Sequence, residues 1–310
     1  MIMAIETKHK NIFRLTLIIT TCALIALVAA LFISIYIEKN SFEVSPPVAK
    51  FSQTDRNNTA GTDSITDVPI IVSSGIETDV NNDYDRNSFT PKDFLLLDSG
   101  MVTYTGSNEI HGIDVSSFQG DIDWQAVKEA GIDFAIIRLG LRGMSAGLIY
   151  IDDYFYSNIE GASAAGIDVG VYFFSQALTS DEAIEEANYV LDILDGRQLQ
   201  YPVFFDWEPG TDPEDRTNAI YSSPEINEYA VAFCKVIEEA GYKSGIYFNS
   251  FQGYFQYDFT LFERQTLWLA EYNKAYPRFY YDFDMWQYSC TGTVPGIEYP
   301  VDINIHIPEK

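Results

Sequence analysis

Tyr201-Pro202-Val203-Phe204-Phe205-Asp206-Trp207-Glu208 is an apolar run that closes on two acids flanking a tryptophan. Side chains alternate faces along a strand, so positions two apart share one face. The spacing therefore points Asp206 and Glu208 together and Trp207 the other way. Similar short apolar runs recur from Ile110 onward, at 110–115, 134–139, 168–174, 244–248, 266–270, 285–288 and 301–303. With 203–206 they make eight candidate strands. Amphipathic stretches alternate with them. Asp123 caps a helix over 124–130 that Gly131 ends, and a fourth helix covers 153–165. Thr179-Ser180-Asp181-Glu182 has capping-box spacing and opens a helix to Asp195, with Gly196 as its stop. Ser223-Pro224 begins another, with Gly241 just past its end; there Ile226, Ala230, Phe233, Cys234 and Ile237 form one apolar stripe, which makes Cys234 a core thiol.

Alternating β and α units predict a parallel sheet with right-handed crossovers. Eight strands over about 200 residues predict its closure. The last two connections, 271–284 and 289–300, are rich in Tyr, Pro and Gly and poor in helix signals. The expected fold is therefore α/β: an irregular (β/α) barrel of TIM-barrel type with an incomplete ring of helices. In such barrels the active site lies at the C-terminal ends of the strands. Asp114 ends the first candidate strand, Asp206 and Glu208 the fourth, and Asp302 lies in the last, which neighbours the first in a closed barrel. Four carboxyls thus converge on one mouth. Like charges raise the pKa of at least one member. A Glu kept protonated near neutral pH, beside negative charge that stabilises an oxocarbenium-like centre, is the equipment of glycoside hydrolysis.

Blocks across 109–304 carry a resemblance: Gly112-Ile113-Asp114-Val115-Ser116 with Gln119-Gly120 and Ile122-Asp123-Trp124; Phe134-Ala135-Ile136-Ile137-Arg138; Gly170-Val171-Tyr172-Phe173-Phe174-Ser175; Asp206-Trp207-Glu208; Gly245-Ile246-Tyr247; Trp268-Leu269-Ala270-Glu271-Tyr272; and Trp286-Gln287-Tyr288-Ser289 leading to Val301-Asp302-Ile303-Asn304. In their order and coverage they resemble the glycoside hydrolase family 25 lysozymes (N-acetylmuramidases). The resemblance implies an irregular β/α barrel that cleaves the β-1,4 bond between N-acetylmuramic acid and N-acetylglucosamine in peptidoglycan. It implies Glu208 as general acid, Asp206 as the charge stabiliser at the anomeric side, and Asp114 and Asp302 as the rest of an acidic floor. Whether an enzyme carboxylate or the sugar's own acetamido group is the nucleophile stays open. Phe118, where Trp is common in the family, and a length shift over 142–149 are departures near the mouth.

Sugar rings stack on aromatic faces, which makes Tyr172, Trp268, Tyr272 and Trp286 candidate substrate-binding residues by their strand-end positions. Arg138, in an apolar strand, is expected to pair with an acid of the floor. Two other function classes compete. Gly143-Met144-Ser145-Ala146-Gly147 spells the G-x-S-x-G elbow of serine hydrolases, which needs a strand before, a helix after and a histidine, of which the chain has three. The other is a catalytically inactive peptidoglycan-binding protein on the same scaffold, against which four retained acids argue. There is no H-E-x-x-H and no Cys/His cluster, so no metal or other cofactor is expected.

The 19 Lys+Arg against 45 Asp+Glu give a formal charge of -26, which argues against a nucleic-acid partner. With 47% hydrophobic and 15% aromatic residues the chain is too apolar for wholesale disorder. Three Cys cannot make a disulfide framework. The stretch 15–37 holds 23 residues without a charge, enough as a helix to cross a hydrocarbon core of about 30 Å. Lys8, Lys10 and Arg14 precede it, so the positive-inside rule puts residues 1–14 in the cytoplasm. Bulky residues continue past Ala29-Ala30, which favours an uncleaved signal anchor over a cleaved signal peptide and a secreted product. A Ser-, Thr-, Asn- and Pro-rich extracellular linker, 38–106, leads to the catalytic barrel at 107–310, with 94–97 and 101–104 as a candidate strand pair against it. The expected molecule is a single-pass cell-membrane protein. Its partners are the cytoplasmic membrane, through the N-terminal helix, and peptidoglycan glycan strands.

Overall fold

A computed structural model describes residues 70–73, 76–79, 81, 83–97, 99–106, 108–218 and 225–308. The expected anchor at 15–37 and the Ser223-Pro224 helix start lie outside the described residues. Among the described residues no helix is long and apolar enough to cross a membrane. Two small antiparallel pairs come first: β1 (Ile70–Ser73) with β2 (Ile76–Asp79), and β3 (Phe94–Leu96) with β4 (Val102–Tyr104).

The barrel follows as β5 (Ile110–Val115), α1 (Trp124–Glu129), β6 (Phe134–Arg142), β7 (Ile149–Ile151), α2 (Phe155–Ala164), β8 (Asp168–Ser175), α3 (Ser180–Leu194), β9 (Val203–Trp207), α4 (Glu225–Glu239), β10 (Ser244–Asn249), α5 (Ser250–Phe255), β11 (Thr266–Ala270), β12 (Met285–Gly292) and β13 (Val301–His306). Eight strands close the ring in the order β5-β13-β12-β11-β10-β9-β8-β6, with β6 returning to β5, and β7 hangs from β6 as a hairpin arm. The caps read from sequence are present: the Asp123 carboxylate accepts from Ala126 N–H and the Thr179 hydroxyl from Glu182 N–H. The helix ring is incomplete, with no helix between β11 and β12 or between β12 and β13.

One expectation fails. The sheet is not wholly parallel: β13 runs antiparallel to both β12 and β5. Parallel neighbours need a crossover of a dozen or more residues, and the eight residues 293–300 carry no helix to make one. They turn the chain back as a hairpin, so β13 enters the ring from the mouth.

Strand alternation splits the apolar side chains into two cores. Phe134, Ile136, Tyr201, Phe204, Trp268 and Met285 fill the barrel interior. Ala135, Ile137, Phe205, Trp207, Ile246 and Trp286 face outward into the larger layer beneath the helices, which also takes the α4 stripe with Cys234. Small residues make room for large ones inside: a Cβ on Gly112 would lie 2.2 Å from the Phe134 ring.

Residues 83–97 and 99–106 fall within the expected linker yet pack on the barrel, and the strand pair expected at 94–97 and 101–104 is present as β3–β4. Tyr84 meets Tyr281 edge-on at 4.9 Å, Asn87 N–H donates to Tyr280 O at 2.9 Å, and Phe94 meets Trp286 edge-on at 5.6 Å. Phe94 and Val102 are buried in this contact, whereas Leu96 on the same hairpin is exposed. Phe94→Ala should therefore lower unfolding free energy by about 3–5 kcal/mol, as for buried aromatics generally, and Leu96→Ala should be nearly neutral. Urea denaturation of the two variants checks this; equal midpoints would show that the hairpin is not part of the folded unit.

Candidate active site

The reversal of β13 builds the acidic floor. Asp302 is the second residue of β13 and Asp114 the penultimate residue of β5, and they are direct partners across the antiparallel ladder. Asp206 lies in β9 and Glu208 just past its end. All four line one cleft of about 240 Å³ at the barrel mouth. Trp207 points the other way, as its spacing requires, and its indole N–H donates to Ala177 O at 2.9 Å. Two buried glutamines hold the end of β9 through consecutive carbonyls. Gln252 Nε2 donates to Trp207 O at 2.7 Å, and Gln176 Nε2 donates to Glu208 O at 2.6 Å. Thr217 in the following loop completes this hold, donating from its hydroxyl to Gln176 Oε1 at 2.5 Å.

The four acids sit in different surroundings. Asp114 Oδ2 accepts two amide N–H bonds at 2.7 Å, from Gln287 Nε2 and Asn304 Nδ2. Asp206 is equally buried, yet its Oδ1 has no hydrogen-bond partner. Burial pushes every member up. It raises Asp114 to about 6, with the two amides pulling back down. Burial together with the charge of Asp114 raises Glu208 to about 7. Asp206 is held well above the ordinary carboxylate range by burial and then by Glu208, and Asp302 by burial and then by Asp114. A carboxylic acid that keeps its proton near neutral pH thus shares a cleft with an amide-bonded carboxylate. That pairing suits proton donation to a leaving group alongside stabilisation of positive charge.

The other expected site residues divide. Tyr172 and Tyr272 line the cleft beside the acids. Trp268 also borders the cleft, but at 1% exposure and with its indole N–H given to Asn304 Oδ1 at 2.8 Å it supports the floor more than it offers a stacking face. Trp286 is a correction. It neighbours inward-facing Gln287 and so points outward, where it is fully buried against Phe94 and Tyr288 and donates to Glu271 O. Arg138 does line the cleft, but its partner is Asp152 at 2.7 Å, with Ser117, and not an acid of the floor. The anion that satisfies it comes from the residue after β7, a strand not foreseen. Phe118 stands 75% exposed at the lip, with the Arg138 guanidinium 5.2 Å from its ring centre. Gly143–Gly147 is the turn between β6 and β7; a strand follows Ser145, not the helix that a nucleophile elbow requires.

Gln176, Gln252, Gln287, Asn304 and Asp152 were missed as site residues. Two carried a signal: Asn304 is two residues from Asp302, and Gln287 is two from the inward-facing Met285, so each shares the interior face.

The profile of Glycosyl hydrolases family 25 matches residues 113–297, more than half of the chain. The chain belongs to glycosyl hydrolase family 25. It is a glycosidase. Relatives of this family 25 chain include the uncharacterized protein YegX of Escherichia coli K12, 28% identical over 213 residues that cover 67% of this chain and 73% of that one. Lysozyme M1 of Streptomyces globisporus is 27% identical over 217 residues, 67% of this chain and 71% of the relative. The barrel also superposes on the modular autolysin LytC from Streptococcus pneumoniae, solved in complex with a synthetic peptidoglycan ligand. That match has a TM-score of 0.58 and 21% identity, over 77% of this chain and 56% of the other, and it speaks to the fold.

The raised carboxyls have a consequence for stability. Asp206 has a folded pKa above its unfolded value of about 3.9. The native state then holds a proton that the unfolded state has released, so stability falls as pH rises from about 4 through the folded pKa. Each unit of the difference costs about 1.4 kcal/mol above that window. Asp206→Asn should raise Tm by several degrees at pH 7.5 and lose that advantage below about pH 4. A Tm difference that does not change with pH would contradict this.

Proposed function

We propose that this glycosidase is a muramidase, hydrolysing the β-1,4 bond between N-acetylmuramic acid and N-acetylglucosamine in peptidoglycan. The observation that carries the reading is the Glu208 carboxyl, lifted to about 7 in a cleft it shares with three other acids. The name of the Streptomyces relative, Lysozyme M1, and the peptidoglycan ligand of LytC support the substrate class. In this reading Glu208 gives its proton to the glycosidic oxygen as the bond to the anomeric carbon breaks. Asp206 serves the anomeric side. Its carboxyl, which lines the cleft, accepts the acetamido N–H of the sugar. The acetamido oxygen then closes on the anomeric carbon. The donated bond pulls the Asp206 pKa back down as the sugar binds, so its proton leaves to solvent before the glycosidic bond breaks and Asp206 meets the developing positive charge as a carboxylate. Water, giving its proton to Glu208, opens the intermediate. Asp114 supplies the negative field of the floor with Asp302 paired to it across the ladder, and Tyr172, Tyr272 and Arg138 hold the glycan.

Glu208→Gln should abolish nearly all release of reducing ends from purified peptidoglycan while the circular dichroism spectrum is retained. Ser145→Ala should leave the rate unchanged. Mass spectrometry of the fragments should show N-acetylmuramic acid at the new reducing ends. Reducing N-acetylglucosamine would assign a different bond, and a near-normal rate for Glu208→Gln would remove the acid. Since Glu208 must be protonated, kcat/KM should fall as pH rises through about 7.

The proposal extends to location. The 23 uncharged residues of 15–37, preceded by Lys8, Lys10 and Arg14, act as a signal anchor that keeps the barrel outside the cytoplasmic membrane. The chain should fractionate with membranes and resist carbonate extraction. A mature N-terminus mapped near Phe32 would replace the anchor with a cleaved signal and a secreted enzyme.

A further inference from the structure

The two amides on Asp114 cannot turn freely. An indole N–H only donates, and Trp268 Nε1 donates to Asn304 Oδ1 at 2.8 Å, so the NH2 of Asn304 must face Asp114 Oδ2. On the other side Gln287 Oε1 accepts from the hydroxyls of Tyr247 and Tyr272 at 2.8 and 2.5 Å, while its NH2 donates to the same Asp114 oxygen at 2.7 Å. Asp114, Trp268, Tyr247, Gln287 and Asn304 are all buried. Turning either amide would set an amide oxygen against a carboxylate oxygen, and turning Asn304 would also leave the indole N–H without an acceptor. Asp114 Oδ2 therefore meets two donors, and a proton on it would have nothing to bond to.

We propose that Asn304, locked by Trp268, and Gln287, seated on Tyr247 and Tyr272, are positioning residues that hold Asp114 as the fixed anion of the cleft and drive the protons of the cluster onto the other acids. The surroundings of Asp114 make such a device necessary. Asp302 faces it from β13, and Asp206 and Glu208 from the end of β9. Tyr172, Tyr247 and Tyr272 add hydroxyls, Cys290 a thiol on β12, and Arg138 the one cation among the described residues that line the cleft. Among the described residues, two side-chain donors meet on one oxygen of Asp114 and of no other acid of the cleft. A defined anion beside Glu208 keeps its carboxyl protonated, which ties the inference to the muramidase reading.

Two measurements on the full-length chain test this. In the first, aspartate carboxyls are labelled with carbon-13 and titrated by NMR in detergent, the cluster signals being assigned by their loss in Asp114→Asn, Asp206→Asn and Asp302→Asn. Asp114 should lose its proton at the lowest pH of the three; earlier ionisation of Asp206 or Asp302 overturns the proposal. In the second, Gln287→Met removes one donor, and Asn304→Asp keeps the acceptor for Trp268 while turning the other donor into an oxygen. Each should move the acidic limb of the kcat/KM profile upward by about one pH unit. A lower rate with the limb unmoved would assign the amides a merely structural role and overturn the proposal. The titration needs no turnover. If the chain releases no reducing ends, the muramidase reading falls while the order of ionisation still decides this one.

Discussion

Asp114 and Asp302 face each other across an antiparallel ladder, with Asp206 and Glu208 sharing the same cleft. Like charges directly opposite in such a pair destabilise it, and burial adds to the penalty. The cleft is tolerable only if protons are retained and if the remaining negative charge is met by donors. Both conditions are visible: carboxyls pushed above their ordinary range, and one oxygen of Asp114 held by two amides. Such a cluster adds nothing to folding. It is a site where stability is given up for chemistry, and the surrounding barrel must offset it.

That barrel does so with a doubly packed sheet. Inward residues fill the bottom of the ring with Phe134, Phe204 and Met285, so the polar groups are confined to the mouth. Outward residues pack under the helices and, where helices are missing, under the segment that precedes the barrel. Trp286 belongs to that second contact. The loss of helices on one side and the docking of the β3–β4 hairpin are thus two parts of one solution: the hairpin covers apolar surface that a complete helix ring would otherwise shield.

Much of this was legible in the sequence. The period-two rule placed Asp206 and Glu208 on one face and Trp207 on the other, and the Asp123 and Thr179 caps marked helix starts to within a residue. The direction of β13 was not legible from its side chains, because alternation is the same whichever way a strand runs; only the length of the preceding loop carries it. Trp286 was misread because strand-end position was weighed above phase, although counting from Met285 turns it outward. The partner of Arg138 was missed because β7 is three residues long and follows a glycine-rich turn. Gln287 and Asn304 look bland as residue types. Their contribution lies in hydrogen-bond direction, which depends on Trp268, Tyr247 and Tyr272 brought from two other strands and the residues beyond them.

The central claim is that four acids from three distant places in the sequence are gathered around one glycosidic linkage. The most direct measurement is a crystal structure of Glu208→Gln with a peptidoglycan oligosaccharide bound. The account predicts a glycosidic oxygen within about 2.6–3.2 Å of the residue 208 side chain, with the adjoining sugar ring lying between Asp206 and the Asp114–Asp302 pair. A glycan seated elsewhere on the barrel, or one crossing the mouth with no linkage near residue 208, would contradict it.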